Sequence, residues 1–222
     1  MKPDFSMEDF QKKYQAEIVD LSIKARPFKF FVPKSLDGFV DPDDVFDNFP
    51  LWAKIWEASI VLAEHLAGIP PEPGKTYLEI GCGVGVVGVV ASAFGHKFVS
   101  TEFNPDAIAF CRANSELNYS PDHKGPEIEK LDWNNPATVK GPFDTIVGSE
   151  VIYNEKDFEP IFGLFKTFLK PTGEIILAER VRKTSIEFFQ RMGAHFKVTG
   201  RKKVLRSKDK EVRVLLCSMK FL

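Results

Sequence analysis

From residue 76 onward, short apolar runs alternate with longer segments whose apolar residues recur every three or four positions. The short runs have the length of buried strands, and the longer segments have the periodicity of amphipathic helices. The predicted strands are 76–80, 96–103, 126–133, 143–150 and 171–180. Helices are predicted at 86–94, 104–118, 156–169 and 184–192. Because strands and helices alternate, the pattern predicts an α/β fold with a doubly wound, mostly parallel sheet.

The last part of the chain breaks this alternation. Two predicted strands, 195–202 and 211–221, follow each other with no helix between them. Strands joined without a crossover helix pair in antiparallel fashion. We therefore expect a C-terminal hairpin at one edge of a seven-stranded sheet, with the basic segment RKKVLRSKDK at 201–210 as its connection. Plain dinucleotide-binding folds do not usually end in this way.

The part of the chain before residue 76 has a less regular pattern. Ser6 is a candidate N-cap for a helix over 6–17, and RPFKFFVP at 26–33 resembles a strand. An acidic, turn-rich segment follows at 35–50. Apolar residues at helical spacing predict a further helix over 54–66, which the linker GIPPEPG ends.

Composition narrows the class of protein. The chain has 222 residues, of which 44% are hydrophobic, and this is sufficient for one sizeable core. The formal net charge of −1 argues against nucleic-acid binding through bulk electrostatics. The start of the chain has acids where a signal peptide needs an apolar run, and no stretch approaches the roughly 18 apolar residues of a membrane span. We therefore expect neither a nucleic-acid partner nor a membrane partner.

The cysteines and histidines exclude several kinds of site. Cys82, Cys111 and Cys217 are far apart and odd in number, which supports neither a zinc ribbon nor a disulfide framework. The four histidines are scattered, and HExxH, GxSxG and Cys–His pairings are missing from the sequence. We therefore predict no metal site, and a reducing cytoplasm is the simplest location for such a chain.

The segment LEIGCGVGVVG at 78–88 gives the clearest sign of a ligand. Gly81, Gly83 and Gly85 stand between a predicted strand and a predicted helix, where the lack of Cβ atoms lets the backbone approach a ligand. The segment contains GxGxxG, which is typical of dinucleotide sites. It also contains GxGxG preceded by an acid, which is typical of S-adenosylmethionine (AdoMet) sites. The glycines alone leave the choice of cofactor open.

Acidic residues close three successive predicted strands: Glu79, Glu102 and Asp132. A dinucleotide presents an anionic pyrophosphate, whereas AdoMet carries a sulfonium and an ammonium group that suit nearby carboxylates. We expect Glu79 to face the ammonium group, directly or through water. Glu102 is expected to accept the ribose hydroxyls, which both cofactors have. Asp132 is expected to accept the adenine amino group, with Trp133 beside the ring, and the three acids together favour AdoMet.

The order of these motifs resembles that of the class I, seven-strand AdoMet-dependent methyltransferases. The segments LEIGCGVGVVG, TEFNPDAIAFCRAN, LDW, FDTIVGSEVIY and LKPTGEIILAE carry the resemblance. FPLWAKIWEASIVLAEHL, ahead of the first strand, is similar to the family-16 type, which includes many protein lysine methyltransferases. The resemblance implies a methyltransferase domain at 51–222 and an N-terminal extension at 1–50 on the substrate side.

The resemblance also implies roles for individual residues. In this group an acid-x-x-aromatic motif follows the fourth strand, and the chain has Glu150 and Tyr153 there, with Glu in place of the more common Asp. Glu150 is expected to bind and orient a lysine ammonium group, and Tyr153 to shape the channel or to hydrogen-bond the amine. Trp56 and Ser149 are assigned to the cofactor, with Trp56 over the glycine loop.

Other functions stay open at this point. A small-molecule methyltransferase has the same cofactor motifs. An NAD-dependent oxidoreductase needs a lysine four residues after its catalytic tyrosine, or an equivalent His–acid pair, but Asp157 follows Tyr153 at this spacing. Arginine methyltransferases use two glutamates, for which Glu159 is the second candidate, although it falls inside a predicted helix. We favour a monomeric enzyme that methylates a protein lysine. The acidic segment 37–47 is either a solvated loop or a surface that meets the substrate protein, and the sequence leaves both open.

Overall fold

The computed structural model describes residues 5–40, 49–120, 124–207 and 210–222. Nine strands and six helices are found in these ranges. The helices are α1 (Met7–Lys13), α2 (Glu57–Ala67), α3 (Val86–Ala93), α4 (Pro105–Asn118), α5 (Phe158–Phe168) and α6 (Lys183–Met192). The strands are β1 (Ala16–Ile23), β2 (Arg26–Pro33), β3 (Thr76–Ile80), β4 (Lys97–Glu102), β5 (Glu127–Lys130), β6 (Phe143–Ser149), β7 (Leu169–Arg180), β8 (Phe196–Ser207) and β9 (Lys210–Phe221).

The seven strands from β3 to β9 form one sheet in the order β5-β4-β3-β6-β7-β9-β8. Neighbouring strands are parallel except at β9, which runs antiparallel to both β7 and β8. The predicted doubly wound, mostly parallel sheet with an antiparallel C-terminal hairpin is therefore confirmed.

Helices cover both faces of the sheet because successive residues of a strand point to opposite faces. Leu78 and Ile80 of β3 pack in one apolar cluster with residues of α5 and α6. Tyr77, whose side chain points to the opposite face of β3, packs in a second cluster with residues of α2 and α3. Within the described ranges, none of the helices has the length and apolar character that a bilayer crossing requires.

The predicted helix over 6–17 is wrong at its C-terminal end. Ser6 does cap a helix, since its hydroxyl accepts the N–H of Asp9 at 3.2 Å, but this helix ends at Lys13. Ala16–Ile23 instead forms β1, which pairs antiparallel with β2. This hairpin packs on α4, where the side chain of Asn114 accepts the N–H of Phe31 at 2.6 Å and donates to its carbonyl at 3.0 Å.

Several predicted boundaries also differ from those observed. The helix predicted at 54–66 begins at Glu57, because a 3-10 turn at Leu51–Ala53 and an extended Trp56 precede it. The strand predicted at 126–133 is limited to Glu127–Lys130. The basic segment 201–210 is not a long connection, because β8 continues to Ser207 and β9 resumes at Lys210. Residues 41–47 of the acidic segment lie outside the described residues.

Candidate active site

The candidate site lies at the topological switch point of the sheet, between β3 and β6, where the strand order reverses. From β3 the chain moves outward to β4 and β5, and it then returns to place β6 on the other side of β3. The crevice at such a switch point is the usual ligand site of doubly wound sheets. A cavity of about 360 Å³ opens here. Its walls include most of the residues that the sequence singles out: Trp56, Gly81, Gly83, Glu102, Trp133, Ser149, Glu150 and Tyr153.

The loop between β3 and α3 forms one wall of the cavity. Gly81, Gly83 and Gly85 all have positive φ values, of 63°, 53° and 88°. A Cβ on Gly83 would lie 3.1 Å from the carbonyl oxygen of Trp52, which leaves almost no room for it. A Cβ on Gly85 would lie 2.5 Å from Sγ of Cys111 in α4. Gly83 therefore shapes the cavity wall, whereas Gly85 allows α3 to pack against α4.

Glu102, at the end of β4, fastens this loop and lies on the cavity wall. Its Oε2 accepts the backbone N–H of Gly83 at 3.0 Å. Its Oε1 accepts the N–H groups of Phe103 and Asn104 at 2.7 and 3.1 Å. Burial raises the pKa of this carboxyl, and the three backbone donors oppose the rise. The carboxylate is therefore held in one orientation, with lone pairs left for a ligand's hydroxyl groups.

Glu79 takes a different position from the one expected. Its side chain is 1% exposed and lies behind the glycine loop rather than on the cavity wall. Its Oε2 accepts the hydroxyl of Ser100 at 2.6 Å, and the backbone N–H of Gly88 in α3 donates to the same carboxylate. Burial raises the pKa of Glu79 to about 7. Glu79 thus fastens α3 to β3 and β4, and its side chain is not one of those that line the cavity.

Asp132 also lies off the cavity wall, although the next residue, Trp133, is part of it. The carboxylate of Asp132 accepts the backbone N–H of Asn134 at 2.9 Å and stabilises the turn after β5. The indole ring of Trp133 comes within 3.4 Å of the position that a Cβ on Gly81 would take. Trp133 therefore supplies a flat apolar surface beside the glycine loop, as aromatic side chains commonly do in ligand pockets.

Two tryptophans ahead of α2 complete this side of the cavity. Both Trp52 and Trp56 line it. The backbone of Trp52 covers Gly83, and its ring packs against Phe39 and Phe110 at centroid distances of 5.1 and 5.5 Å. The resemblance predicted that Trp56 covers the glycine loop. At Gly83, the backbone of Trp52 covers the loop instead.

Glu150 follows β6 directly and has a φ of 52°, which is uncommon for a residue with a Cβ. Its backbone N–H donates to the carbonyl of Ala178 at 2.9 Å. Its Oε1 accepts the N–H of Arg180 at 2.6 Å, and its Oε2 pairs with Nη2 of Arg182 at 2.8 Å. Burial raises the pKa of the Glu150 carboxyl, while the charge of Arg182 lowers it. The predicted carboxylate is thus at the cavity, but it already has a cation of its own.

Glu179 and Arg182 belong to the same cluster, and neither was predicted from the sequence as a site residue. Nη2 of Arg182 lies 3.2 Å from Oε2 of Glu179, whose side chain is fully buried. Oε1 of Glu179 accepts the N–H of Val151 at 2.8 Å. Burial, with a further contribution from the charge of Glu150, raises the pKa of Glu179 to about 8. The available signal was the AER sequence at the end of the fifth predicted strand, which neighbours the strand that ends before Glu150.

Tyr153 stands on the cavity wall beside this cluster. Its hydroxyl lies 3.4 Å from Oε2 of Glu150, and the guanidinium carbon of Arg182 lies 4.5 Å from the centroid of its ring. Burial raises the pKa of Tyr153, and the charge of Glu150 adds to the rise. The hydroxyl therefore stays protonated near neutral pH and can donate a hydrogen bond into the cavity.

The side chains around the cavity fit AdoMet. The carboxylate of Glu102 stands on the wall with lone pairs for ribose hydroxyl groups, and that of Glu150, paired with Arg182, stands there beside Tyr153. Trp133 offers a surface for a planar ring. In the ranges that the structure describes, no group of three or more His, Cys, Asp or Glu could hold a metal ion.

The strand order, with β9 inserted antiparallel between β7 and β8, defines the architecture of class I AdoMet-dependent methyltransferases. A solved structure agrees with this assignment. The chain superimposes on magnesium protoporphyrin IX methyltransferase (ChlM) from Synechocystis PCC 6803 with bound SAM, with a TM-score of 0.58 at 14% identity. The match covers 73% of this chain and 79% of that one.

A family profile described as "Lysine methyltransferase" matches residues 50–195, which is more than half of the chain. The chain therefore belongs to this family. Membership decides the question that the glycine motif left open, because AdoMet and not a dinucleotide is the cofactor of these enzymes.

Curated relatives differ in the residue type that they methylate. The chain is 33% identical to protein N-lysine methyltransferase METTL21A of Mus musculus over 135 residues, which is 59% of this chain and 61% of the relative. It is 27% identical to mouse EEF1A lysine methyltransferase 3, covering 73% of this chain and 69% of the relative. It is also 33% identical to mouse histone-arginine methyltransferase METTL23, and this match covers 48% of this chain and 44% of the relative. The match to METTL21A thus spans about three fifths of that protein.

Proposed function

We propose that this protein transfers a methyl group from AdoMet to the ε-amine of a lysine in a protein substrate. The observation that carries the proposal is the presence of Glu150 and Tyr153 on the wall of the cavity that the glycine loop also lines. Family membership supports it, as does the similarity to METTL21A and EEF1A lysine methyltransferase 3, whose names specify lysine.

In this proposal the cofactor is held by residues of the cavity wall. Gly81 and Gly83 leave room for the methionine part, and the fixed carboxylate of Glu102 accepts the ribose hydroxyls. Trp133 flanks the adenine ring. Trp56 and Ser149, which both lie on the cavity wall, close its cofactor side.

Three other residues that the sequence singled out act indirectly in this proposal. Glu79 holds the start of α3 through the N–H of Gly88, and Gly85 allows that helix to pack on α4. Asp132 stabilises the turn that presents Trp133. These residues therefore position the cofactor site without touching the cofactor.

When bound, AdoMet supplies a methyl carbon that its positively charged sulfur activates. The substrate lysine must lose a proton before its nitrogen can attack, and a nearby carboxylate opposes this loss by stabilising the ammonium form. The pairing of Glu150 with Arg182 reduces that stabilisation. We assign orientation of the amine to Glu150 and a hydrogen bond to the protonated hydroxyl of Tyr153. Alignment of the reacting atoms is the protein's main contribution.

We assign the N-terminal extension to the substrate side. The hydroxyl of Tyr14 donates to Asp106 at the start of α4, at 2.6 Å. Phe39 packs edge-on against Trp52, a residue of the cavity wall. The extension thus reaches the cavity through an aromatic contact. We propose that the acidic segment 37–47 meets the basic surface around the substrate lysine and increases the rate of encounter.

Arginine methylation is a second candidate function. The relative METTL23 is named as a histone-arginine methyltransferase. In addition, Glu150 and Glu179 together hold a guanidinium group, that of Arg182, at 2.8 and 3.2 Å. Glu159, the partner considered from the sequence, is excluded, because it lies on the exposed side of α5 and faces Arg191 at 3.9 Å. The occupation of the two-glutamate site by Arg182 favours lysine as the substrate.

The test begins with the purified protein, a cell lysate and AdoMet that carries tritium in its methyl group. We expect label in the protein fraction, and acid hydrolysis of that fraction should release methyl-lysines. Label in methylarginine would contradict lysine methylation and support the second candidate function, arginine methylation. Label confined to small molecules would refute a protein substrate altogether.

Two glutamate variants provide matched controls. Glu150→Gln is expected to bind AdoMet in calorimetry but to label protein at least tenfold more slowly than the wild type, because the amine loses its orienting charge. Glu159→Gln, nine residues along the chain and exposed, should label at the wild-type rate. Equal rates for both variants would remove Glu150 from the mechanism.

A further inference from the structure

A lysine of this chain lies at its own candidate active site. Lys54 follows the 3-10 turn Leu51–Ala53, is exposed, and lines the same cavity as Glu150 and Tyr153. Its Nζ lies 4.9 Å from the centroid of the Trp56 ring, which lines the cavity as well. The cavity therefore already has a lysine ammonium group at its wall.

The backbone around Lys54 is held in place while its side chain is free to move. The indole N–H of Trp56 donates to the carbonyl of Leu51 at 2.7 Å, which bridges the turn and fixes the ring. Ala53 is buried at 5% exposure and anchors the turn in the core. A cation–aromatic contact at an exposed site is weak, so the ammonium group can leave the ring for another position in the cavity.

We propose that Lys54 is a site of self-methylation. The inference rests on the proposed function and adds a substrate residue to it. The ammonium group of Lys54 loses its proton to solvent or to Glu150, and the nitrogen lone pair then forms an N–C bond to the methyl group of AdoMet. The C–S bond breaks with its electron pair going to sulfur, which leaves S-adenosylhomocysteine. Attachment to the cavity wall makes this step intramolecular and so raises the effective concentration of the amine.

Methylation would keep the positive charge of Lys54 and increase its apolar surface. The retained charge and the larger apolar surface both favour contact with the face of the Trp56 ring, since aromatic rings bind methylated ammonium groups well. Methylated Lys54 is therefore expected to remain on the ring and to narrow the mouth of the cavity. The first turnover of the enzyme would then modify the entrance that later substrates use.

The test uses the full chain and AdoMet with a trideuterated methyl group, with no other protein present. Proteolysis and mass spectrometry should find the label on Lys54, formed at a first-order rate that does not change over a tenfold range of protein concentration. Lys54→Arg should abolish this label. Lys75→Arg is the matched control, since Lys75 lies at the opposite end of β3 and pairs with Glu72 at 2.8 Å, and it should leave the label unchanged.

A second readout does not depend on turnover. Reductive methylation with formaldehyde and cyanoborohydride measures the accessibility of each lysine. S-adenosylhomocysteine should slow the modification of Lys54 at least threefold, because both occupy one cavity, and should leave Lys75 unaffected. Equal rates for Lys54 with and without S-adenosylhomocysteine would overturn its placement at the cofactor cavity.

The outcomes separate this inference from the proposed function. Label in lysate proteins without label on Lys54 would overturn self-methylation and leave the function standing. Label on Lys156, which also lines the cavity, would overturn the assignment to Lys54. No label in any protein, lysate included, would mean that the proposed function itself has failed.

Discussion

Replacing Arg182 tests whether one cation neutralises the two buried carboxylates beside the cavity. The Arg182→Met variant removes the guanidinium group, which lies over the ring of Tyr153, and keeps most of the aliphatic chain. Glu150 and Glu179, with side chains 2% and 0% exposed, then lose their shared ionic partner. We expect a loss of stability that depends on pH.

The size of the loss follows from burial. Removing one partner of a buried ion pair costs about 3–5 kcal/mol. Arg182 is 30% exposed, and Glu179, with its pKa raised to about 8, is largely protonated at pH 7. Both facts place the cost at the lower end, at about 3 kcal/mol. For a protein of this size, that loss corresponds to a drop in melting temperature of about 6–12 °C.

The pH dependence has a definite sign. Without the guanidinium group, the pKa of Glu150 and that of Glu179 rise further above the ordinary glutamate value of about 4.3. A carboxyl whose pKa is higher in the folded state destabilises the fold as the pH rises from the unfolded to the folded pKa. The deficit of Arg182→Met relative to wild type should therefore be larger at pH 8 than at pH 5.5.

Urea unfolding at the two pH values measures this deficit. Arg191→Met is the matched control: its ion pair with Glu159 spans 3.9 Å between side chains that are 59% and 74% exposed, so its removal should cost less than about 0.5 kcal/mol. Adding Glu179→Gln to Arg182→Met should recover part of the loss, because glutamine removes a carboxyl that must stay protonated in the folded state but ionises in the unfolded state. A deficit of Arg182→Met that is the same at both pH values would refute the electrostatic reasoning.

Three further predictions concern the cofactor side. Gly83→Ala forces a Cβ to within 3.1 Å of the Trp52 carbonyl at a φ of 53°, so it should cost about 1–2 kcal/mol of stability and weaken AdoMet binding at least tenfold in calorimetry. Trp133→Ala should weaken AdoMet binding roughly tenfold through loss of the ring contact, and an unchanged affinity would exclude Trp133 from the adenine site. Glu79 has its pKa raised from 4.5 to about 7, so the wild type should lose about 3 kcal/mol of stability between these pH values through this carboxyl. Glu79→Gln should not show this loss in urea unfolding, and parallel pH profiles for the two proteins would contradict the assignment.

The central sheet could be predicted because its signals are local. β3, β6 and β7 each contain a compact apolar segment, and Asn104 caps α4 as predicted, with its side chain accepting the N–H of Asp106 at 2.8 Å. β1 was missed because Ile23 is its one buried residue and because the strand begins three residues after the end of α1. Its partner β2 and its support from α4 are distant in sequence, so no short segment contains the signal.

The positions of the site residues could be predicted, but the directions of their side chains only in part. Strand ends of a parallel sheet meet at one edge, and this places Glu79 and Glu102 near each other. The two-residue period of a strand also puts Glu79 on the same face as Tyr77, which packs under α2 and α3. That period explains why Glu79 lies behind the loop, and it was available from the sequence.

The cluster around Arg182 depends on strand register, which the sequence does not provide. Ser149 pairs with Ala178, so Glu150 and Glu179 come to lie side by side at the ends of β6 and β7. This register follows a shift between Phe143 and Thr145, which no sequence pattern indicates. The sequence AER marks Glu179 as an acid at a strand end, but the pairing of the two acids, and hence the need for a cation, follows from this register.

Three glutamates at the strand ends make the same kind of contact: the carboxylate of each accepts a backbone N–H of a neighbouring segment. Glu102 holds Gly83, Glu150 holds Arg180 and Glu179 holds Val151. Two charges 4 Å apart still interact by about 4 kcal/mol at the effective dielectric constant of a protein surface. A carboxylate can therefore fasten a loop and favour a cationic ligand at the same time. Gly83 lies on the cavity wall, so Glu102, which holds it and also lines the cavity, influences both the charge and the shape of the cavity. A substitution of Glu102 should therefore change both.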